Sequence, residues 1–138
     1  MKGYLLFYHR FLIQEGGAEN VLISDIFSCS KYSKNRIGLS SLYINNYIFK
    51  SSRIKCKINN IRFKGLFGRQ ISIILNFFIF FIEALKSDYI LTSSGFPEAY
   101  FISFILSKKL ILFDHHPISM MTSGRSLRAN KSIQIKIN

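Results

Sequence analysis

The chain opens on an apolar run, Tyr4-Leu5-Leu6-Phe7-Tyr8, unbroken by charge. Continuous hydrophobicity of this kind predicts a strand over residues 3 to 8, at the centre of a parallel sheet and covered on both faces. Gly16-Gly17 then punctuates the chain. Beyond it Ala18, Val21, Leu22, Ile26 and Cys29 recur at helical spacing, with Glu19 placed to meet the helix dipole in the first turn. This helix is expected to end in the polar cluster Ser30 to Asn35, and Ile37 to Ile44 reads as a second strand. From Arg53 to Ile58 the alternation is strict, Ile54, Cys56 and Ile58 on one side and Arg53, Lys55 and Lys57 on the other. Period two with a solvated cationic face predicts a strand at or near a sheet edge. Lys64 to Arg69, with two glycines, reads as a loop.

The stretch Ile71 to Ile82 is almost wholly apolar and predicts a helix. Its run of about 13 residues between Arg69 and Glu83 falls short of the roughly 20 that a bilayer-spanning helix needs. Ser72, Asn76, Glu83 and Lys86 fall near one side, leaving a narrow polar stripe and a broad apolar face. A helix packed on a sheet is the expected arrangement, with an interfacial helix lying on a membrane as the competing one. Asp88 precedes a fourth strand, Tyr89 to Thr92. After the turn Ser93-Ser94-Gly95, Pro97 and Glu98 open a helix that runs to about Ser107, and Leu110 to Phe113 is a fifth strand. Strands alternating with helices at these lengths imply right-handed βαβ units. The expected fold is α/β, a Rossmann-like three-layer domain with a parallel β-sheet flanked by helices over residues 1–118. Residues 119–138 form a basic tail with weak patterning.

At 138 residues the chain makes one ordinary domain. Hydrophobic residues at 49% exclude a disordered protein, although abundant Ile, Lys, Asn and Phe would also suit an AT-rich coding sequence. The net charge of +12 is unevenly placed, with ten Lys or Arg and no acid between Asp25 and Glu83. Such a surface attracts phosphate-rich partners, anionic lipid or nucleic acid. No zinc-ligand spacing, basic zipper or aromatic single-strand signature appears, so no specific nucleic-acid partner is expected. Cys29 and Cys56 sit in no CxxC pair and read as reduced thiols of a cytoplasmic protein. Lys2 alone precedes the first apolar run, which breaks at His9 and Arg10, the pattern of a strand and not of a signal peptide.

Ligands of open parallel sheets bind at the carboxyl ends of the strands. His9 and Gly16-Gly17 follow the first strand, Ser93, Ser94 and Gly95 the fourth, and Asp114, His115 and His116 the fifth, so three loops are expected on one rim. A strand, a glycine turn and a helix start in that order present backbone N–H groups to an anion. The adjacent histidines lack the third and fourth ligands that zinc requires, so no metal is expected. Asp114 alternatively caps a local turn, either histidine is a partly buried loop residue, and Glu98 is a general base or simply the acid of a first helical turn. No Ser-His-Asp or Cys-His set and no P-loop is present.

Tyr4-Leu5-Leu6-Phe7-Tyr8-His9, followed by Gly16-Gly17-Ala18-Glu19-Asn20-Val21-Leu22, resembles the opening of group 1 (family 4) glycosyltransferases, nucleotide-sugar enzymes of GT-B architecture with two Rossmann-like domains. Ser87-Asp88-Tyr89-Ile90-Leu91-Thr92-Ser93-Ser94, a helix, and then Lys109-Leu110-Ile111-Leu112-Phe113-Asp114-His115-His116-Pro117 are similar to later strands of that family. The resemblance covers roughly residues 1 to 118, the amino-terminal, acceptor-side half. It implies that Gly16 and Gly17 lie against the donor's diphosphate or sugar. It also implies that His115 hydrogen-bonds the donor sugar near the reacting carbon, with His9, Ser94, Gly95 and His116 lining the cleft. The family's second domain carries two glutamates separated by seven residues, a spacing that no pair here has. The expected function is therefore the N-terminal half of a glycosyltransferase, incomplete as a single chain. It would move sugar from a nucleotide-sugar donor, with no other cofactor, to a cell-envelope polysaccharide or lipid-linked glycan. Expected partners include an anionic surface on the inner face of the membrane and a separate chain carrying the donor-binding domain. The alternative is a non-catalytic membrane-surface adaptor or partner-binding subunit on the same scaffold.

Overall fold

A computed structural model of the chain describes residues 3–13, 16–45 and 56–113. The elements follow in the order β1 (Tyr4–Tyr8), β2 (Phe11–Leu12), α1 (Gly17–Tyr32), β3 (Arg36–Ser40), β4 (Tyr43–Ile44) and β5 (Lys57–Ile58). After these come α2 (Leu66–Lys86), β6 (Tyr89–Thr92), α3 (Pro97–Ile105) and β7 (Lys109–Leu112). Five strands form one all-parallel sheet in the order β5-β3-β1-β6-β7, and β2 pairs with β4 in a small second sheet. The uncharged β1 takes the centre, in register with β3 from Tyr4↔Arg36 to Tyr8↔Ser40 and with β6 from Leu5↔Tyr89 to Tyr8↔Thr92. The lysine-bearing β5 lies at an edge, as the alternation from Arg53 to Ile58 predicts, although Arg53 to Lys55 lie outside the described residues.

Successive side chains of β1 point to opposite faces and so build two cores. Tyr4, Leu6 and Tyr8 join Ile90 of β6 and meet Phe80 and Ala84 of α2 and Ala99 and Ile102 of α3. Leu5 and Phe7 turn the other way, with Ile37, Leu39 and Leu91, against Leu22 and Ile26 of α1. The chain is therefore a Rossmann-like three-layer α/β unit, with α1 on one face of the sheet and α2 and α3 on the other.

Three local features depart from the sequence pattern. The run Ile37 to Ile44 splits after Ser40, because Ser41 Oγ and the Leu42 N–H both donate to the Arg10 carbonyl and turn the chain into the β2–β4 pair. Helix α2 starts at Leu66, well before the apolar run, on Gly65, whose φ of +88° suits glycine. The third departure concerns which side of α2 meets the sheet.

Helix α2 packs on the sheet through Phe80 and Ala84, with Ile73, Phe77 and Phe81 beside them, and turns its polar stripe inward as well. Ser72, Asn76 and Glu83 are buried, whereas Ile71, Ile74, Phe78, Ile82 and Leu85 are about half exposed. The inward polar groups are all satisfied. Ser72 Oγ accepts from the Phe63 N–H at 2.8 Å and donates to the Gly68 carbonyl at 2.7 Å. Asn76 Oδ1 accepts from the Ile61 N–H at 2.8 Å, and its Nδ2 donates to the carbonyls of Ile61 and Leu42 at 2.8 and 2.9 Å. Glu83 accepts from Tyr4 Oη at 2.6 Å and from Asn59 Nδ2 at 3.0 Å, with Lys86 and Lys57 at 3.3 and 3.5 Å. Burial alone would raise the Glu83 pKa, but Tyr4 and the two lysines outweigh it and hold the carboxyl below its ordinary value. Gly38 makes the Tyr4 bond possible, since any Cβ there would collide with the Tyr4 ring and hydroxyl lying across β3. The segment between β5 and α2 has almost no regular structure, so its backbone groups need partners, and α2 supplies them from its side chains.

Candidate functional site

The order β5-β3-β1-β6-β7 reverses direction at β1. The chain leaves β1 toward β3 and β5 on one side and returns beyond it to β6 and β7. In a sheet of this kind the loops after the two strands at the reversal diverge and open a crevice at their carboxyl ends. Here those ends are Tyr8-His9-Arg10 after β1 and Thr92-Ser93-Ser94 after β6.

A three-residue clamp ties the two loops together. Glu98, in the first turn of α3, accepts from Tyr8 Oη at 2.7 Å, from Arg10 Nε at 2.7 Å and from Arg10 Nη2 at 2.5 Å. Phe96, just before α3, stands edge-on to the rings of Tyr8 and His9 and lies under the Arg10 guanidinium, 5.3 Å from its centroid. Burial works to raise the Glu98 pKa, but the bonds from Arg10 and Tyr8 prevail and hold it below the ordinary value. Burial and the same carboxylate push the Tyr8 phenol far above its usual range, so it stays a proton donor. A carboxylate held this way is a weak base. Glu98 is a structural clamp, and neither the general base nor the idle first-turn acid of the sequence reading describes it.

His9 is 7% exposed at the end of β1, and its Nδ1 lies 3.0 Å from the Phe11 carbonyl oxygen. A carbonyl only accepts, so this bond assigns the proton to Nδ1 and makes Nε2 an acceptor. Burial lowers the His9 pKa, against a smaller upward pull from the Glu19 carboxylate and the Phe11 carbonyl. The imidazole is neutral at neutral pH.

Gly16 is the N-cap of α1, in extended conformation, and contributes no side-chain cap. Glu19 folds back over it, so that a Cβ on Gly16 would lie 2.5 Å from the carboxylate. Gly17 is exposed, and a Cβ there would meet nothing within 4 Å. Neither glycine has positive φ, so backbone strain requires glycine at neither position. Gly17 stands in open space at the first turn of α1.

Ser94 and Gly95 are exposed on the loop after β6, which the Thr92 hydroxyl closes by donating to the Ser94 carbonyl at 2.9 Å. Strand β7 runs parallel to β6, and its end reaches the same rim, where the Phe113 N–H donates to the Thr92 carbonyl at 2.8 Å. Asp114, His115 and His116 lie outside the described residues, as does the tail 119–138. The described loops after β1 and β6 thus bring His9, Gly16, Gly17, Ser94 and Gly95 to one end of the sheet.

Ser93 was expected on this rim from its place after the fourth strand, whereas Ser40 was not. The hydroxyls of Ser40, at the end of β3, and Ser93, just after β6, are buried with no hydrogen-bond partner among the described residues. Ser40 pairs with Tyr8 across the sheet, so the two hydroxyls flank the reversal at β1. Burial of the hydroxyl is what sets each apart, because serine at a strand end is ordinary in sequence.

No protein-family model matches this chain, and neither does a curated protein or a solved structure.

Proposed function

We propose that this chain forms the acceptor-side wall of a nucleotide-sugar-dependent glycosyltransferase, with a second Rossmann-like unit closing the cleft from the same or another polypeptide. The observation that carries the reading is the reversal of strand order at β1, with the glycine turn, the neutral His9 and two hydroxyls that have no partner among the described residues gathered at that end. In this reading the N–H groups at Gly17 take a phosphoryl oxygen of the donor. His9 Nε2 and the hydroxyls of Ser40 and Ser93 meet sugar hydroxyls. His115 and His116 follow β7 in sequence, and in this reading His115 is the residue that bonds the transferred sugar. The adaptor reading draws on a different observation, the outward apolar stripe of α2, and requires nothing of the rim.

The test is a titration of the 15N-labelled chain with UDP-glucose, UDP-N-acetylglucosamine and GDP-mannose at millimolar concentration. Amide shifts confined to residues 9–10, 16–19 and 92–95, weakened about tenfold by Gly17→Asp through charge repulsion and lost close approach, are the expected result. Gly17→Ala, which meets no neighbouring atom, should keep the fold and reports on close approach alone. Absence of shifts on that rim with all three donors, or shifts that Gly17→Asp leaves unchanged, removes the glycine turn from donor binding and leaves the adaptor.

A further inference from the structure

We propose that α2 is an in-plane docking helix for an anionic lipid surface, which its outward side enters while the helix stays packed on the sheet. The inference rests on the polarity of the helix and is independent of the reading of the cleft. Phe67, Ile71, Ile74, Phe78, Ile82 and Leu85 follow one another at steps of three or four residues and are all exposed, from 48% for Ile82 to 88% for Phe67. At this spacing they form one stripe along a helix about 30 Å long. No charged residue interrupts it. The one acid of the helix, Glu83, is turned inward and bonded to Tyr4 and Asn59. Surface helices of soluble domains bury the apolar side and show the polar one, whereas this helix buries its polar stripe together with Phe80 and Ala84 and leaves a second, wholly apolar stripe exposed.

Charge selects the occupant. Lys64 is exposed before the start of the stripe, with the exposed Arg62 and Arg69 held over the Tyr43 ring nearby, and Lys86, paired with Glu83, is exposed at its end, where Lys108 Nζ also donates to the Leu85 carbonyl at 3.1 Å. Cations at both ends of an uncharged apolar stripe are the complement of a bilayer interface with anionic headgroups, and long basic side chains reach those headgroups while their stems stay apolar. A second copy would set two chains of net charge +12 against each other across an interface without compensating acids. Nucleic acid offers phosphates to the cations but leaves the aliphatic Ile71, Ile74, Ile82 and Leu85 without a partner. Because α2 runs for 21 residues, beyond the apolar run of about 13 that reads as too short to span, it is by length and composition alone able to cross a bilayer. Crossing would strip Ser72, Asn76 and Glu83 of the partners that the sheet and the 59–63 segment give them, so the helix lies along the surface.

The test is co-sedimentation of the full chain with vesicles of phosphatidylcholine alone and of phosphatidylcholine with phosphatidylglycerol, at roughly 0.05 and 0.5 M salt. Binding to the phosphatidylglycerol vesicles, weaker in high salt and reduced about tenfold or more by the double variant Ile74→Glu, Phe78→Glu, is expected. Phe27→Glu, a half-exposed apolar position on α1 across the sheet, should bind as the parent does. The chain contains no tryptophan, so Phe78→Trp serves as a single fluorescent reporter that needs no disruptive charge. Its emission should shift to the blue on phosphatidylglycerol vesicles, and that of Phe27→Trp should not. The proposal is overturned if Phe78→Trp emission is unmoved by vesicles, or if the folded glutamate variant binds like the parent. It is equally overturned if light scattering without lipid shows a dimer that the glutamate variant turns into a monomer, which makes a second copy the occupant.

Discussion

Replacing Asn76 by leucine is expected to destabilise the protein by about 2–4 kcal/mol, although it makes an apolar helix more apolar and nearly conserves volume. The Asn76 amide is buried and makes three hydrogen bonds, holding the Ile61 N–H and carbonyl and the Leu42 carbonyl. Leucine leaves all three backbone groups unserved. The loss of one partner of a buried polar group costs about 1–3 kcal/mol, reduced here because the 59–63 segment is near water and recovers some of its bonds there. Against the roughly 5–15 kcal/mol that a domain of this kind has, the change is severe. Urea denaturation should show a lower midpoint for Asn76→Leu, and amide exchange should show lost protection at Ile61. The mirror substitution, Ile74→Asn on the outward side, should change stability by no more than about 0.5 kcal/mol. If Asn76→Leu proves neutral while Ile74→Asn is damaging, the helix faces the other way and the lipid-docking proposal falls with it.

That reversal marks the boundary of what the sequence made legible. Strand β6 could be read almost to the residue, because Tyr89 to Thr92 is a short apolar run between Asp88 and a Ser-Ser-Gly turn. The edge position of β5 was equally readable from its alternating lysines, and the parallel three-layer order followed from strands and helices taking turns. Periodicity located the polar stripe of α2 correctly but could not orient it. Which side of a helix is buried depends on what lies opposite, and here that is an irregular segment whose backbone demands hydrogen bonds. The β2–β4 pair was likewise hidden, being two residues per strand and set by hydroxyl and amide bonds to the Arg10 carbonyl. At the rim, the loops after β1 and β6 were read from motif position alone. The burial of the Ser40 and Ser93 hydroxyls without a partner among the described residues, and the capture of Glu98 by residues 88 and 90 positions away in sequence, exist only in three dimensions.

Removing the Glu98 carboxylate should cost about 2–3 kcal/mol near neutral pH, because it ends three hydrogen bonds at once and leaves the Tyr8 hydroxyl without its partner. The figure stays at the low end for a clamped ion pair, since Arg10 is about one-third exposed and regains water when its partner is lost. Glu98→Leu tests the full loss, and Glu98→Gln keeps the shape while removing the charge. The pH dependence follows from the lowered pKa of this carboxyl. The folded state binds the Glu98 proton more weakly than the unfolded chain does, so the clamp contributes fully above the ordinary carboxylate value and is lost as the pH falls through and below it. Glu83 is shifted the same way and adds to the acid sensitivity of both parent and variant. The stability gap between the parent and Glu98→Gln should therefore be widest near pH 7 and narrow between about pH 5 and pH 3, as protonation undoes in the parent what substitution has already undone in the variant. Thermal unfolding of both proteins across that range reads the gap directly. Parallel curves would mean that the loops after β1 and β6 are held together without the carboxylate. The carboxyl end of the sheet would then owe its shape to the edge-on packing of Phe96 against Tyr8 and His9 and to Arg10 over the Phe96 ring.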